Sequence, residues 1–319
     1  MSNGMPTHQD HTMSNPYRRP PEACRALIAG LAIILAIPAA NARNAQDSAT
    51  AGTLSAAPMP PESGVTGPRD MAGQSYADLV DLAQNSPVVV RATVHRQIRL
   101  KPEESPGLKP GFARLYIEAQ TNALLVGPDL GESLRYLADV PLDANGKVPK
   151  LTKTQVLVFG SVVPGKPGEL RLTAADTMFA WSPDLDTRVR TILTDLISPD
   201  APPRITTLRE ALHVPGNLTG EGETQFFFAT DSGKPVSISV VRRPGEPTRW
   251  GVSFSEIVDQ AAQPPRPETL AWYRLACFLP AGVPARASIS DTEADKRIAE
   301  EDYVLVLRDL GPCRRNRQP

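Results

Sequence analysis

Three patterns in this 319-residue sequence predict a β-rich α+β fold. After residue 87, most segments alternate apolar and polar residues, which is the pattern of strands that bury one face. A few segments instead place apolar residues at helical spacing, and they lie at the margins of the strand-rich regions. Glycine and proline, with 22 and 33 copies, divide the chain into short elements. Together these features predict antiparallel sheets with flanking helices.

The stretch "ALIAGLAIILAIPAANA", residues 26–42, predicts a signal peptide over residues 1–42. Its apolar run covers 15 residues, whereas a membrane-spanning helix needs about 20. Arginines precede the run and the small residues Ala40 and Ala42 follow it, so we expect cleavage between Ala42 and Arg43. The alternatives are an uncleaved membrane anchor and a later start at Met13. Cleavage would place the mature chain in the periplasm or outside the cell.

The charge balance of the chain excludes one class of partner. The formal net charge is −1, and removal of the leader would leave it near −2. Nucleic-acid-binding proteins present a basic stripe or a clear basic excess, which this chain lacks. We interpret the closing arginines Arg314, Arg315 and Arg317 as a solvated tail. The expected partner is therefore an envelope component or a small ligand, and not a nucleic acid.

The first part of the mature chain predicts a linker followed by a short helix. Residues 43–74 are rich in Ala, Ser, Pro and Gly and have few large apolar side chains, so they predict a disordered linker. Apolar residues then recur at helical spacing from Tyr76 to Ala83, and Pro87 ends this helix.

Five strand-like segments follow within about a hundred residues and predict a first domain over residues 75–200. A helix closes this domain, since Ser182 can cap it, Pro183 suits its first position, and Ser198 and Pro199 end it. Five strands with marginal helices suit a five-stranded OB-like barrel, in which closure removes exposed strand edges. Half of a β-sandwich is the main alternative. The strand-like segments are "VVVRATVHRQIRL", "ARLYIEAQT", "SLRYLADVPL", "QVLVFGSVV" and "ELRLTAADTMFAW".

The remaining residues, 201–319, predict a second α+β domain built on a small antiparallel meander. Thr207 and Glu210 form a plausible capping box for a helix that begins at "TLRE". Three strand-like segments follow, "TQFFFAT", "PVSISVVRR" and "RWGVSF", and a short helix is expected over residues 255–262. The segment "WYRLACFL" fits a helix or a buried strand, and we favour a strand over residues 272–279. A last helix is predicted from Ser290 to Leu310, and Gly311 and Pro312 end it.

Two cysteines, Cys277 and Cys313, remain after cleavage of the leader. In an oxidising compartment an even pair predicts a disulfide, whereas two separate buried thiols are the alternative. Their spacing matches neither a zinc site nor a redox CxxC motif, so we expect a structural role.

Five segments of the mature chain carry a resemblance to known sequences: "RYLADVPLDANGKVPKL", "HVPGNLTGEGETQ", "RWGVSFSEIVD", "RLACFLP" and "IAEEDYVLVLRDLGPC". They resemble a family of uncharacterised exported proteins from alphaproteobacteria, and the resemblance covers most of the mature chain. It implies export and carries no known activity.

The sequence offers few residues for catalysis. The mature chain has two histidines; we expect His95 on the solvated face of the first strand and His213 at a helix end, where a cation favours the helix dipole. No nucleophile elbow, zinc-protease motif or phosphate-binding glycine loop occurs. Asp139 and Asp143 could face one site, but sequence alone cannot show the burial or coupling that acid–base catalysis requires. We therefore predict no catalytic residue, no metal site and no cofactor.

The residues we predict for ligand binding lie on the outer face of the second and third strands: Arg114, Tyr116, Glu118 and Arg135. OB-folds bind ligands on this face, and an aromatic ring beside guanidinium groups can hold a sugar or a peptide. The alternative is an ordinary solvated strand face. The function this predicts is an exported accessory or binding protein of the cell envelope. The second hypothesis is an exported hydrolase that uses carboxylates in a cleft between the two domains.

Overall fold

The computed structural model describes residues 73–255 and 262–317. These residues form a mixed α+β, β-rich structure with two antiparallel sheets. The predicted leader, nearly all of the predicted linker and most of the predicted helix over residues 255–262 lie outside them. The described helices are α1 (Tyr76–Asn85), α2 (Pro183–Ile197), α3 (Leu270–Ala276) and α4 (Glu293–Leu310).

The first sheet contains the strands predicted for the first half of the chain. Its order is β3-β2-β1-β4-β5, and β6 also pairs with β4. This path is open, and closure into a barrel is not found among the described residues. The strands are β1 (Val88–Arg99), β2 (Phe112–Val126), β3 (Ser133–Pro141), β4 (Gln155–Val162), β5 (Leu170–Leu172) and β6 (Met178–Ala180).

The fifth predicted strand, residues 169–181, is two short strands on the same edge of β4. Leu172 pairs with Gly160 and Met178 pairs with Val158, so the five residues 173–177 of the edge segment lie opposite the single residue Phe159 of β4. The extra residues form a loop, which the Thr177 hydroxyl fixes by donating to the carbonyl oxygen of Phe159 at 2.9 Å. The alternation is therefore interrupted at the loop.

The helices cover only part of this sheet. Val89 on β1 and Phe159 on β4 belong to a core cluster that includes α1, α2 and α3, whereas Val88 and Val90 belong to the core on the opposite face. β1 and β4 are therefore buried on both faces where the helices lie against them. β2 and β3 bury alternate residues only, which leaves their outer face open to solvent over most of its length.

The second sheet is a four-stranded meander in the order β10-β9-β8-β7. The three predicted strands of the meander are confirmed, and α4 packs across the sheet, with the rings of Phe226 and Tyr303 at 5.1 Å. The strands are β7 (Ile205–Pro215), β8 (Gly222–Thr230), β9 (Val236–Arg242) and β10 (Arg249–Ser253).

The helix predicted at "TLRE" is wrong, because this segment is strand β7. The register between β7 and β8 shifts twice, between Ile205 and Thr207 and between Leu208 and Glu210. Each shift adds a residue to the strand, so Ile205, Leu208 and Ala211 are buried three residues apart. Two bulges thus give a strand the spacing that is typical of a helix. His213 accordingly lies inside a strand and not at a helix end.

The strand favoured over residues 272–279 is also wrong, because most of this segment belongs to helix α3. Thr269 caps the helix by accepting a hydrogen bond from the N–H of Trp272 at 3.2 Å. α3 contributes to the core clusters on both of its sides, which explains an apolar run without helical periodicity. The last helix is present as predicted, but Thr292 is its N-cap in place of Ser290.

The predicted disulfide between Cys277 and Cys313 is confirmed, with their Cα atoms 5.0 Å apart. Cys277 follows α3 directly, and Cys313 follows the glycine that ends α4. The bond therefore fixes the C-terminal end of α4 to the helices behind the first sheet.

Candidate functional site

Side chains on the outer face of the first sheet form rows that cross β1, β2 and β3. Tyr116 on β2 lies opposite Ile98 on β1 and opposite Leu137 on β3. Ile98 is 40% exposed and Leu137 is 45% exposed. Three apolar side chains thus cross a face that strand alternation would make polar.

A charged row lies beside this apolar row. Glu118 faces Arg96 on one side and Arg135 on the other. The carboxylate of Glu118 is 3.7 Å from the guanidinium of Arg96; the Arg96 side chain is largely in water, whereas the Glu118 side chain is half-buried. A partly exposed pair at this distance contributes little to stability.

Arg114 is occupied by protein groups. Its Nε and Nη2 donate to the two carboxylate oxygens of Asp139 at 2.7 and 2.9 Å, and its Nη1 donates to the carbonyl oxygen of Pro106. The hydrogen bond to Asp139 raises the pKa of Arg114. Arg114 therefore anchors β3 and the loop before β2, and its guanidinium is not free to bind a ligand.

Asp139 and Asp143 do not form one acidic site. Asp139 is held by Arg114, whereas Asp143 accepts the N–H groups of Asn145 and Lys147 at 2.9 and 2.7 Å. Asp143 thus stabilises the turn after β3.

A cleft of about 510 Å³ opens where β3 and β5 diverge. The two strands meet at an isolated parallel bridge between Arg135 and Glu169. The N–H of Arg135 donates to the carbonyl oxygen of Gly168 at 2.8 Å. Further along β3, the N–H of Asp139 donates to the carbonyl oxygen of Ala175 at 2.6 Å. Three of the four predicted ligand residues contact this region. Residues lining the cleft include Arg114, Tyr116, Arg135, Leu137, Arg171 and Leu172.

Gly168 allows the turn before β5 to approach β3. Its φ is +76°, and a Cβ at this position would lie 2.6 Å from the carbonyl oxygen of Ser133. A larger residue would push the turn away from β3 and widen the cleft.

On the far side of Arg135, a second cavity of about 630 Å³ contacts His95 and Glu118.

The two histidines occupy different environments. His95 is exposed at a register shift of β1, as expected for a solvated strand residue. His213 is buried, and its Nδ1 is 2.8 Å from the Thr224 hydroxyl, which in turn donates to Asp302. Because Thr224 and Asp302 are fully buried, this chain of polar groups fixes β7, β8 and α4 together and does not present a nucleophile to solvent.

A third cleft, of about 770 Å³, contains the carboxylates that a hydrolase would need. Asp81 accepts hydrogen bonds from the Tyr273 hydroxyl at 2.5 Å and from Nε of Arg315 at 2.6 Å. Burial, together with the Asp81 carboxylate, raises the pKa of Tyr273 to about 12. Asp231 is 3.7 Å from the guanidinium of Arg204. These carboxylates are therefore engaged by cations or hydroxyl groups of the protein.

The C-terminal segment binds to helix α1 beside this cleft. The backbone N–H groups of Asn316 and Arg317 donate to the Asp78 carboxylate at 3.0 and 3.1 Å. Arg317 also pairs with Asp176. The interpretation of the closing arginines as a solvated tail is thus wrong for Arg317, whereas Arg315 is exposed but paired with Asp81.

Sequence reasoning missed Ile98, Leu137 and Arg171. Leu137 had a visible signal, since it occupies a polar position of the alternating segment "SLRYLADVP". Ile98 faces outward only because the register shifts near His95, and Arg171 reaches the cleft only because β5 lies near β3.

Within residues 73–255 and 262–317, no cluster of three or more potential metal ligands occurs. None of the helices in these ranges is long and apolar enough to cross a bilayer. The chain matches no known family profile, and no curated protein is significantly similar to it.

Proposed function

We propose that this protein is an exported binding or accessory protein of the cell envelope, and that it holds its ligand on the outer face of β2 and β3. The observation that carries the proposal is the exposed apolar row of Ile98, Tyr116 and Leu137 beside a cleft of about 510 Å³. Exposed apolar residues grouped next to a concavity mark binding sites more often than isolated ones do.

We also propose that the first sheet is an OB-like barrel, the fold class expected from the sequence. The strand order β3-β2-β1-β4-β5 supports this, as does the parallel bridge between Arg135 and Glu169, which brings the two ends of that order together. In OB-folds the ligand face is formed by strands two and three with the loops between strands one and two and between four and five. Of the corresponding elements here, β2, β3 and the loop between β4 and β5 border the cleft.

Export agrees with the covalent chemistry of the chain. The Cys277–Cys313 disulfide is consistent with an oxidising compartment. We propose that residues 1–42 direct the chain to the periplasm or beyond and are then removed. The expected partner is an unknown envelope component or a small ligand.

The hydrolase hypothesis has less support than the binding hypothesis, because of how the carboxylates are paired in the cleft around Asp81. A general acid or base needs a carboxylate that is free to exchange a proton with a substrate. Asp81 is held by Tyr273 and Arg315, and Asp231 lies beside Arg204. The ligand face of β2 and β3 therefore has the better support.

The proposal is tested by thermal unfolding of the mature chain in the presence of the small-molecule fraction of an envelope extract. A ligand that binds only the folded state raises the unfolding midpoint. We expect a rise for the parent and for the control Ile197→Ser, whose side chain is 79% exposed on α2, but no rise for Leu137→Ser. Equal rises in the parent and both variants would reject this face, and no rise in the parent would reject binding of a small envelope molecule.

A further inference from the structure

We infer that the cleft between β3 and β5 binds a small organic anion with an aromatic or aliphatic body. This inference rests on the proposed function, since it assigns a ligand class to the same face. It follows from two guanidinium groups, beside an apolar wall, that have no carboxylate of the described residues within 4.0 Å.

The positive charge in the cleft comes from Arg135 and Arg171. Both side chains are exposed, and no carboxylate of the described residues lies within 4.0 Å of either guanidinium. Arg135 has one weak contact, from Nη2 to the carbonyl oxygen of Pro167 at 3.5 Å. Each guanidinium therefore keeps most of its donors for a ligand.

Each of the other charged groups at the cleft lies beside an opposite charge. Arg114 is bound to Asp139 by two hydrogen bonds. Glu169 is 3.3 Å from the ammonium group of Lys166. The charge left over in the cleft is thus positive, and it selects a carboxylate, sulfonate or phosphate group, which a guanidinium can bind with two parallel hydrogen bonds.

The size and the walls of the cleft define the rest of the ligand. About 510 Å³ falls within the range of small-molecule sites, roughly 300 to 1,000 Å³. Tyr116 and Leu137 line one wall and Leu172 another. A ring or a short aliphatic chain can pack on these side chains while its anionic group meets the arginines.

Two fluorescent probes separate the anionic requirement from the apolar one. 8-Anilinonaphthalene-1-sulfonate carries a sulfonate, and N-phenyl-1-naphthylamine has the same rings without it. We expect the mature chain to bind both and the double variant Arg135→Gln/Arg171→Gln to lose about tenfold in affinity for the sulfonate, since hydrogen bonds to a charged group are lost. Its affinity for the neutral probe should stay unchanged. Arg209→Gln, an exposed arginine on the second sheet, should alter neither affinity.

The outcomes separate the ligand class from the site. Suppose Leu137→Ser lowers the affinity for both probes, but the double arginine variant binds the sulfonate as tightly as the parent does. The face then binds apolar ligands, and the inference that it selects an anion is wrong. If Leu137→Ser leaves the affinity for both probes unchanged, the proposed function itself fails. An equal loss in Arg209→Gln would show a general effect of net charge and would also overturn the inference. Unfolding midpoints of all variants show whether each one is folded.

Discussion

The fully buried carboxylate of Asp302 on α4 is bound by the guanidinium of Arg242 on β9, with Nε and Nη2 at 2.8 and 2.6 Å from Oδ1. The second carboxylate oxygen accepts the hydroxyl of Thr224 on β8. One carboxylate thus joins the C-terminal helix to two strands of the second sheet.

Replacing Arg242 by Ala should lower the free energy of unfolding by about 3 kcal/mol, because it leaves a buried carboxylate without its cation. Chemical denaturation measures this change. Glu301 is the matched control, since it is 3.7 Å from the same guanidinium but 68% exposed. Glu301→Ala should change the stability by less than about 0.5 kcal/mol. Similar losses in the two variants would contradict the role assigned to Asp302.

The free energy of unfolding should depend on pH through Asp186, which lies on α2. Burial acts to raise the pKa of this carboxyl, but hydrogen bonds from Arg190 and Trp181 outweigh it and leave the pKa below its usual 3.8. A lowered pKa in the folded state means that the unfolded state binds more protons as the pH falls. The stabilisation is therefore complete above the unfolded pKa and is lost as the pH falls through the folded pKa.

The matched comparison for this pH effect is Asp186→Asn. The difference in unfolding free energy between the parent and this variant should be constant from neutral pH to about pH 5 and should shrink below about pH 4. Denaturation curves across this range measure it. A difference that grows on acidification would show that the sign of the pKa shift is wrong.

Strand alternation predicted most of the first sheet and the outward orientation of Arg114, Tyr116, Glu118 and Arg135. It could not show that Arg114 is held by Asp139, because that pair depends on the register between β2 and β3. In β7 two bulges make burial recur every three residues, so the sequence pattern predicted a helix where the structure has a strand. Helix α3 is buried on several sides, so its apolar residues do not follow helical spacing and a strand was predicted there. The cleft itself depends on how β5 meets β3, which no local pattern encodes.

Loss of the Cys277–Cys313 bond should destabilise the protein strongly. The cysteines are 36 residues apart, and closing a loop of that length contributes about 3 to 4 kcal/mol in the chain-entropy model. We expect this loss both on reduction and in the double variant Cys277→Ala/Cys313→Ala, measured by denaturant unfolding. Thiol labelling of the unfolded, unreduced mature chain should find no free cysteine. Two labelled thiols would contradict the bond.

Cleavage of the leader should produce a mature chain that begins at Arg43. The apolar run and the small residues at Ala40 and Ala42 predict this site. Mass spectrometry of the N-terminal peptide, after expression in a Gram-negative host, measures the position directly. A chain that keeps residues 1–42 and sediments with the membranes would instead support the anchor.

NMR spectroscopy of the mature chain titrated with 8-anilinonaphthalene-1-sulfonate tests most directly whether the outer face of β2 and β3 is the ligand site. The largest chemical-shift changes should fall on the methyl groups of Ile98 and Leu137, which belong to the apolar row, and of Leu172, which lines the cleft. Changes centred instead on the cleft around Asp81 and Tyr273, or on the second sheet, would contradict the account.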